Sequence, residues 1–288
     1  RWPLGWRFWP LVLGVALVLA IHGSATANGG SSAQGTSQFK TPISGTDLSS
    51  FVPVNPQTLL AKPNAISVKV GAYVDNFHDL SLQNRRFVGE GYYWMEWTQT
   101  LQDKLDAEKI EAKSVIVLAN QVDNWDSQIT PLSEKPIKLP NGNYYQQVQF
   151  SANFYIPEIN LKRFPFETIE LPVILETGDD SLAIQNDNVV LIPDAGKNAI
   201  VGSFAEINGY KITSATLKST IHNYGTDWGL NDGELSYSSV TLQATLASTP
   251  LPSFLKYFLP LIIVVGIVIL APSLEGELGD IRLAIPST

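Results

Sequence analysis

The most informative stretch of the sequence is Asn160-Leu-Lys-Arg-Phe-Pro-Phe-Glu-Thr-Ile-Glu-Leu171, with Phe164-Pro-Phe-Glu167 at its centre. Proline fixes its own φ and has no N–H to donate, so Pro165 indicates a turn rather than the interior of a strand. Apolar and polar residues alternate on both sides, which predicts a strand before the turn and a strand after it. The phenylalanines either fold back into a core, as in an ordinary hairpin, or form an apolar loop tip that rests against another apolar surface.

Composition narrows the function classes. The chain has 288 residues, a formal net charge of -8 and no cysteine. Its acidity argues against nucleic acid as a partner, because phosphates are neutralised by an excess of Lys and Arg. Without cysteine there is no disulfide framework, thiolate metal site or cysteine nucleophile. The sequence also lacks the His-Glu-x-x-His, P-loop, Gly-x-Gly-x-x-Gly and Gly-x-Ser-x-Gly motifs, so we expect no enzyme and no cofactor.

The sequence before residue 63 has two parts. Residues 1–27 have the pattern of an export signal, with a basic start, an apolar stretch of about 14 residues and a small-residue cleavage site. An uncleaved anchor is the alternative, although the apolar stretch is short for a membrane span. Residues 28–62 are rich in Gly, Ser, Thr and Pro, which is typical of a linker or an N-terminal arm. The chain starts at Arg1, and we expect it to be a fragment open at both ends.

Residues 63–249 predict an all-β, immunoglobulin-like sandwich, because short alternating segments recur with turn signals about every 10 to 15 residues. Asn141-Gly142 is a strong hairpin signal between two strands, and residues 75–79 indicate a loop. Acid pairs such as Asp123/Asp126 and Asp179/Asp180 have no calcium-ligand ladder around them, so we expect no metal site.

One predicted strand, Gly91-Tyr-Tyr-Trp-Met-Glu-Trp97, is aromatic on both faces. Because side chains alternate along a strand, one face carries Tyr93, Met95 and Trp97. The other face carries Tyr92, Trp94 and Glu96. Neither is an ordinary solvated face, so we expect one to pack in the core and the other to meet a partner or a ligand.

Residues 254–271 are almost wholly apolar. About 18 helical residues span about 27 Å, which is close to the thickness of a hydrocarbon core. Lys256 and Tyr257 lie near one end, where such side chains anchor at the interface. The sequence therefore predicts a transmembrane helix that follows an extracellular β domain; a buried core helix is the alternative.

The order of these motifs resembles a subunit of the pentameric ligand-gated ion channels, of the cysteine-free prokaryotic kind. Phe164-Pro-Phe-Glu167 is similar to the signature loop of the family, and Trp97 stands at its near-invariant tryptophan. Residues 253–261 resemble the start of the first membrane helix, and residues 275–288 resemble the intracellular turn and the start of the pore helix. The family's usual arginine before the first helix is missing, because Ala247-Ser-Thr-Pro250 stands there.

The resemblance implies a homopentamer in a bacterial inner membrane, in contact with lipid, with the β domain outside. A small molecule or protons would open a pore for cations. It implies ligand binding between subunits by Tyr92, Trp94, Glu96, Asn120, Asp179, Tyr224, Trp228 and Tyr237. Alternatively, these aromatic residues only pack at the subunit interface.

For the other steps, the resemblance implies coupling to the pore by Asp75, Phe77, Asp79, Phe164, Pro165, Phe166 and Glu167. It implies cation selectivity from rings of Glu277 and Asp280. A function of a different class stays open, namely a membrane-tethered recognition module without channel activity.

Overall fold

The structure is a computed structural model that describes residues 51–178, 182, 189–194, 196, 200–203, 205–225 and 235–270. All of them belong to one compact unit of the chain. The predicted export signal, most of the predicted arm and the predicted pore-helix start lie outside the described residues. So do the predicted site residues Asp179, Trp228, Glu277 and Asp280.

The alternating strands assemble into two sheets with the core between them. One sheet has five strands in the order β1 (Phe51–Pro53), β11 (Tyr210–Asn223), β12 (Ser236–Ser248), β9 (Thr168–Thr177) and β4 (Ile116–Leu118). The other has seven, along the path β10 (Val189–Pro193), β2 (Ile66–Ser81), β3 (Arg86–Trp97), β8 (Tyr144–Tyr155) and β5 (Gln121–Val122), with β6 (Gln128–Pro131) and β7 (Ile137–Lys138) also paired to β8. The predicted β-sandwich is thus confirmed in outline as a mostly β-sheet fold of two sheets.

The aromatic strand β3 lies in the middle of the seven-stranded sheet, between β2 and β8. Tyr93, Met95 and Trp97 are buried in the core, at 1%, 0% and 1% exposure. The three alternating neighbours on the opposite face are only partly buried. The predicted division into a core face and a second, accessible face is confirmed.

The turn between β7 and β8 also follows the prediction. Gly142 has a φ of 87°, a left-handed conformation that glycine adopts without steric cost. The Leu139 N–H donates to the Asn143 carbonyl at 2.7 Å, which closes the hairpin.

The loop predicted at residues 75–79 is wrong, because β2 continues from Ile66 to Ser81. Its pairing with β3 is irregular between Val74 and Asn76 and again between His78 and Ser81. Such bulges interrupt the alternation of apolar and polar residues. Phe77 lies between the irregularities and is 1% exposed, in the core.

The structure has helices that the sequence did not predict. α2 (Gln99–Glu108) buries Leu101 and Leu105, a spacing of four residues that marks one face of a helix. α1 (Pro56–Leu60) begins where the Asn55 side chain accepts a hydrogen bond from the Gln57 N–H, a typical N-cap. β1 and α1 both lie within the predicted arm, so its last residues have regular structure.

The apolar segment forms α3 (Pro250–Leu270), with Pro260 inside it. The helix is long and apolar enough to cross a membrane by length and composition, and none of its apolar window is buried in the protein. This exposure argues against the alternative of a buried core helix.

We predict that Gly91→Ala destabilises the sandwich by about 1–3 kcal/mol, the usual cost of overpacking. A Cβ at Gly91 would lie 2.1 Å from the Tyr73 carbonyl oxygen and 2.8 Å from the Val74 Cα, and backbone atoms yield little. Urea unfolding followed by tryptophan fluorescence measures the change. Gly266→Ala is the control, since nothing lies within 4 Å of that Cβ position; equal unfolding midpoints for the two variants would contradict the prediction.

Candidate functional site

The loop between β8 and β9 brings its apolar tip to α3. Phe164 is 51% exposed and Phe166 is 43% exposed, whereas Pro165 between them is buried. The ring of Phe164 packs edge-on against Tyr257, with the ring centroids 4.8 Å apart. The two phenylalanines therefore do not fold back into the core, and the tip lies beside the second turn of the apolar helix.

Glu167 follows the exposed tip but is itself 3% exposed. Its Oε1 accepts a hydrogen bond of 2.6 Å from the Tyr210 hydroxyl. Its Oε2 is buried and has no hydrogen-bond partner among the described residues. Burial, followed by the hydrogen bond to Glu167, raises the pKa of Tyr210.

Hydrogen bonds join this loop to the residues that lead into α3. The Ser248 N–H donates to the Glu167 carbonyl at 3.1 Å, and the Ser248 hydroxyl donates to the Pro165 carbonyl at 2.9 Å. The Thr249 N–H donates to the Gly209 carbonyl at 2.8 Å. We call this group, Pro165–Glu167, Gly209–Tyr210 and Ser248–Thr249, the base junction.

A cavity of about 510 Å³ lies next to the base junction, between the end of β2 and the start of α3. Phe77, Asp79, Tyr210, Lys256 and Tyr257 are among its lining residues. The predicted coupling residues Phe77 and Asp79 thus share a cavity with the start of the helix. His78 Nδ1 lies 2.8 Å from the Asp79 carboxylate, and this pair is exposed to solvent.

The accessible face of β3 is ordered by polar partners. Trp94 Nε1 donates to Asp194 at 3.1 Å, and Lys69 forms a salt bridge with the same carboxylate at 3.0 Å. Burial acts to raise the pKa of Asp194, but the Lys69 and Trp94 hydrogen bonds lower it overall. These contacts fix the Trp94 ring over Gly71, where an added Cβ would lie 2.2 Å from ring atoms.

Glu96 lies further along the same face, where its carboxylate accepts hydrogen bonds from two side-chain amides. Asn143 donates to Glu96 Oε1 at 2.7 Å and Asn141 donates at 2.9 Å. The Asn143 hydrogen bond, and then that of Asn141, lower the pKa of Glu96. The face therefore carries a stabilised negative charge beside a fixed indole, with Tyr92 partly buried on the same strand.

A second cluster lies at the far end of the five-stranded sheet, around the buried carboxylate of Glu176. The Tyr224 hydroxyl donates to Glu176 Oε1 at 2.7 Å, and His222 Nδ1 lies 2.5 Å from Oε2. Tyr237 packs edge-on against Tyr224, with centroids 5.4 Å apart. The ring of Phe51 stacks on that of His222, with centroids 3.9 Å apart. We call this group the far-end cluster.

Sequence reasoning named Tyr224 and Tyr237 but missed Glu176 and His222. The strand pairing places them together, because Glu176 on β9 is opposite Ser239 and Tyr237 is opposite His222. The available signal was an acid directly after the apolar run of β9, since buried acids need partners. An aromatic group around a carboxylate can hold a cationic amine or exchange protons.

Among the residues that the structure describes, the other predicted ligand-binding residues that form side-chain hydrogen bonds form them with residues outside the far-end cluster. Asn120 uses its side chain on backbone groups of both sheets: it donates to the Tyr155 carbonyl at 3.0 Å and the Pro172 carbonyl at 2.8 Å, and accepts from the Ile174 N–H at 3.0 Å. Asn120 therefore joins the two sheets. The described contacts do not bring the accessible face of β3 to the far-end cluster within one chain.

Among the described residues, no group of three or more His, Asp and Glu side chains could hold a metal ion. The Asp123 carboxylate instead pairs with Arg86 at 3.0 Å. No protein-family model matches the chain, and no curated protein matches it significantly. The function is therefore inferred from the residues and contacts described above.

We predict that the free energy of unfolding falls as the pH rises above about 10, the ordinary pKa of tyrosine. Burial, followed by the Glu176 hydrogen bond, raises the pKa of Tyr224. As pH rises, the unfolded chain then releases this proton before the folded chain does, which favours unfolding. Urea unfolding between pH 8 and 11.5 measures the slope. Tyr224→Phe should reduce the slope of the free energy of unfolding against pH above pH 10 and leave it unchanged between pH 8 and 9. If the variant and the parent protein have the same slope above pH 10 as well, the prediction is wrong.

Proposed function

We propose that the chain is a subunit of a pentameric ligand-gated ion channel, in which ligand binding to the β domain outside the membrane opens a cation-selective pore. The observation that carries the proposal is the contact of Phe164 with Tyr257 at 4.8 Å. It puts the exposed tip of the Phe-Pro-Phe loop on a helix that is long and apolar enough to cross a membrane. The two phenylalanines at the tip are about half exposed in the single chain, and exposed apolar side chains of this kind are expected to be covered by further apolar surface.

The ligand site of this proposal lies between neighbouring subunits. The far-end cluster offers Tyr224, Tyr237 and the Glu176 carboxylate on the five-stranded sheet, and Trp94 with Glu96 lies on the other sheet. A homopentamer repeats both surfaces at each interface, so one subunit's far-end cluster can face the next subunit's β3. Two carboxylates and several aromatic rings favour a cationic amine over an anion.

In this proposal, coupling is a shift of population between two arrangements of the subunits. Glu176 lies on β9 and Glu167 directly precedes this strand, nine residues earlier, which corresponds to about 30 Å of extended chain. Because β9 is buried along most of its length, it can move only together with the sheets. A movement at the far-end cluster is therefore transmitted to the base junction and to α3.

The pore and the membrane orientation belong to the same proposal. Rings of Glu277 and Asp280 at the inner mouth would attract cations. The export pattern of residues 1–27 and the membrane-length helix support a β domain outside a bacterial inner membrane. The β-sandwich between them is then the extracellular domain.

A second candidate function is a membrane-tethered recognition module without a pore. One apolar helix among the described residues is sufficient for a tether. The ordered indole of Trp94 beside the Asp194 carboxylate is also a suitable surface for a neutral polar ligand such as a sugar. The oligomeric state separates the two candidates, since a tether requires no pentamer.

We predict that the protein carrying this chain forms pentamers in detergent by native mass spectrometry and carries cation flux in liposomes. Probes for opening are acid pulses and a panel of primary and quaternary amines. Phe164→Ala should reduce evoked flux at least tenfold without loss of pentamers, because the coupling contact is removed. Ile137→Ala, at an equally exposed site on β7 (52%), is the control. Monomers without flux would support the tethered module instead.

We also predict that charge reversal at Asp280, as Asp280→Lys, moves the reversal potential away from that of cations in a dilution gradient. The reason is that five positive charges at the inner mouth repel cations. Voltage-clamp recordings across a salt gradient measure the change. Glu134→Lys, at an exposed acid of the β domain, is the matched reversal; the same reversal potential for Asp280→Lys and the parent protein would exclude Asp280 from the selectivity ring.

A further inference from the structure

The acid of the Phe-Pro-Phe loop has an unexpected partner. The resemblance implies an arginine before the first membrane helix, but Ala247-Ser-Thr-Pro250 stands there. None of the ion pairs among the described residues includes Glu167. The carboxylate is nevertheless 3% exposed, and a buried charge without a compensating contact is costly. Something other than a cation has to hold it.

The Tyr210 hydroxyl fills this role in the structure. It donates to Glu167 Oε1 at 2.6 Å, which is short, as expected of a hydrogen bond to a charged acceptor. The remaining oxygen, Oε2, has no partner among the described residues. Within the described ranges, the Glu167 carboxylate thus depends on a single side-chain hydrogen bond.

The position of Tyr210 in the fold makes this contact consequential. Tyr210 begins β11 and pairs with Ser248, the last residue of β12. The Ser248 N–H donates in turn to the Glu167 carbonyl at 3.1 Å, and α3 begins two residues later at Pro250. The hydroxyl therefore closes a ring of contacts between the loop and the residues that lead into the helix.

We propose that Tyr210 is the positioning residue of the Phe-Pro-Phe loop: its hydroxyl fixes Glu167, and Glu167 fixes the loop that places Phe164 on α3. This inference rests on the proposed coupling function and deepens it, because it names the residue through which coupling is regulated. Tyr210 also lines the cavity of about 510 Å³ next to the base junction, together with Asp79 and Lys256. A change in the shape of that cavity reaches the loop through one hydroxyl.

Hydrogen exchange of the full chain in detergent, read by mass spectrometry, tests the proposal. Tyr210→Phe keeps the ring and removes the hydroxyl, which leaves the buried carboxylate with no partner. We expect exchange in residues 160–170 and 245–252 to become about tenfold faster or more, because the junction opens locally. Residues 144–155, in the middle of the seven-stranded sheet, should exchange at the parent rate.

Two further variants complete the test. Tyr144→Phe removes a hydrogen bond from another tyrosine hydroxyl, to the Gln99 side chain beside the seven-stranded sheet, and should leave both base segments at the parent rate. Glu167→Gln retains an oxygen that accepts from Tyr210, so it should keep exchange within about twofold of the parent. The Glu167→Gln change keeps the hydrogen bond from Tyr210, but it would abolish an ion pair, because glutamine carries no charge.

Each contrary result overturns the proposal. If Tyr210→Phe leaves residues 160–170 and 245–252 unchanged, the hydroxyl does not position the loop. If residues 144–155 accelerate equally, Tyr210 supports the whole fold and not the loop. If Glu167→Gln opens the junction and Tyr210→Phe does not, a cation holds the acid. None of these readings requires ion conduction, so a chain that forms no channel leaves the result on Tyr210 intact.

Discussion

The structure depends on a buried carboxylate at the point where the sandwich meets its apolar helix. Glu167 comes directly after Phe166, which is 43% exposed, yet its own side chain is 3% exposed. The chain turns at residues 162–166, where the Phe166 N–H donates to the Arg163 carbonyl, and this turn directs the acid inward and the phenylalanines outward. The same geometry that buries Glu167 therefore presents Phe164 and Phe166, and the acid and the apolar tip are two consequences of one backbone conformation.

A second carboxylate is buried at the other end of β9, where Glu176 has His222 and Tyr224 as partners. The two acids differ in a way that fits their surroundings. Within the part of the chain that the structure describes, Glu176 has a partner on each oxygen, whereas Glu167 has one hydroxyl partner and an unpaired oxygen. A fully paired acid rigidifies its site, and a half-paired acid is easier to displace. The far-end cluster is thus the more rigid of the two, and in the proposed channel the base junction is the better suited to switch.

In the proposed channel, the sandwich between these ends would transmit movement without deforming. Its core residues on β9 and β12, such as Leu171, Val173 and Leu242, are 0% exposed, and close-packed interiors shift as units. Asn120 adds a polar link, because its amide bonds to backbone groups of β8 and β9, which belong to different sheets. The predicted ligand-binding residue Asn120 thus keeps the sheets in register.

Local patterns predicted much of this fold, and long-range pairing accounts for what they missed. Alternation along β3 predicted that Tyr93 and Trp97 share one face and that one of the two faces is buried, since a strand's period of two depends only on its own residues. Bulges in β2 broke the same rule and made a strand resemble a loop. The partners of the acids were beyond local reasoning, because Tyr210 is 43 residues from Glu167 and His222 is 46 residues from Glu176. Only strand register brings such residues together.

A neutral partner for Glu167 is physically reasonable at this place in the molecule. An arginine would have to be desolvated beside the apolar start of α3, and desolvation of an ion pair often cancels its Coulombic attraction. A tyrosine contributes an aromatic ring that packs at such a boundary and a hydroxyl that reaches the acid. The Ser248 and Thr249 backbone bonds already hold the loop and β11 to the end of β12. With the backbone so joined, one hydroxyl is sufficient to select the position of the acid, and a second charge is not required.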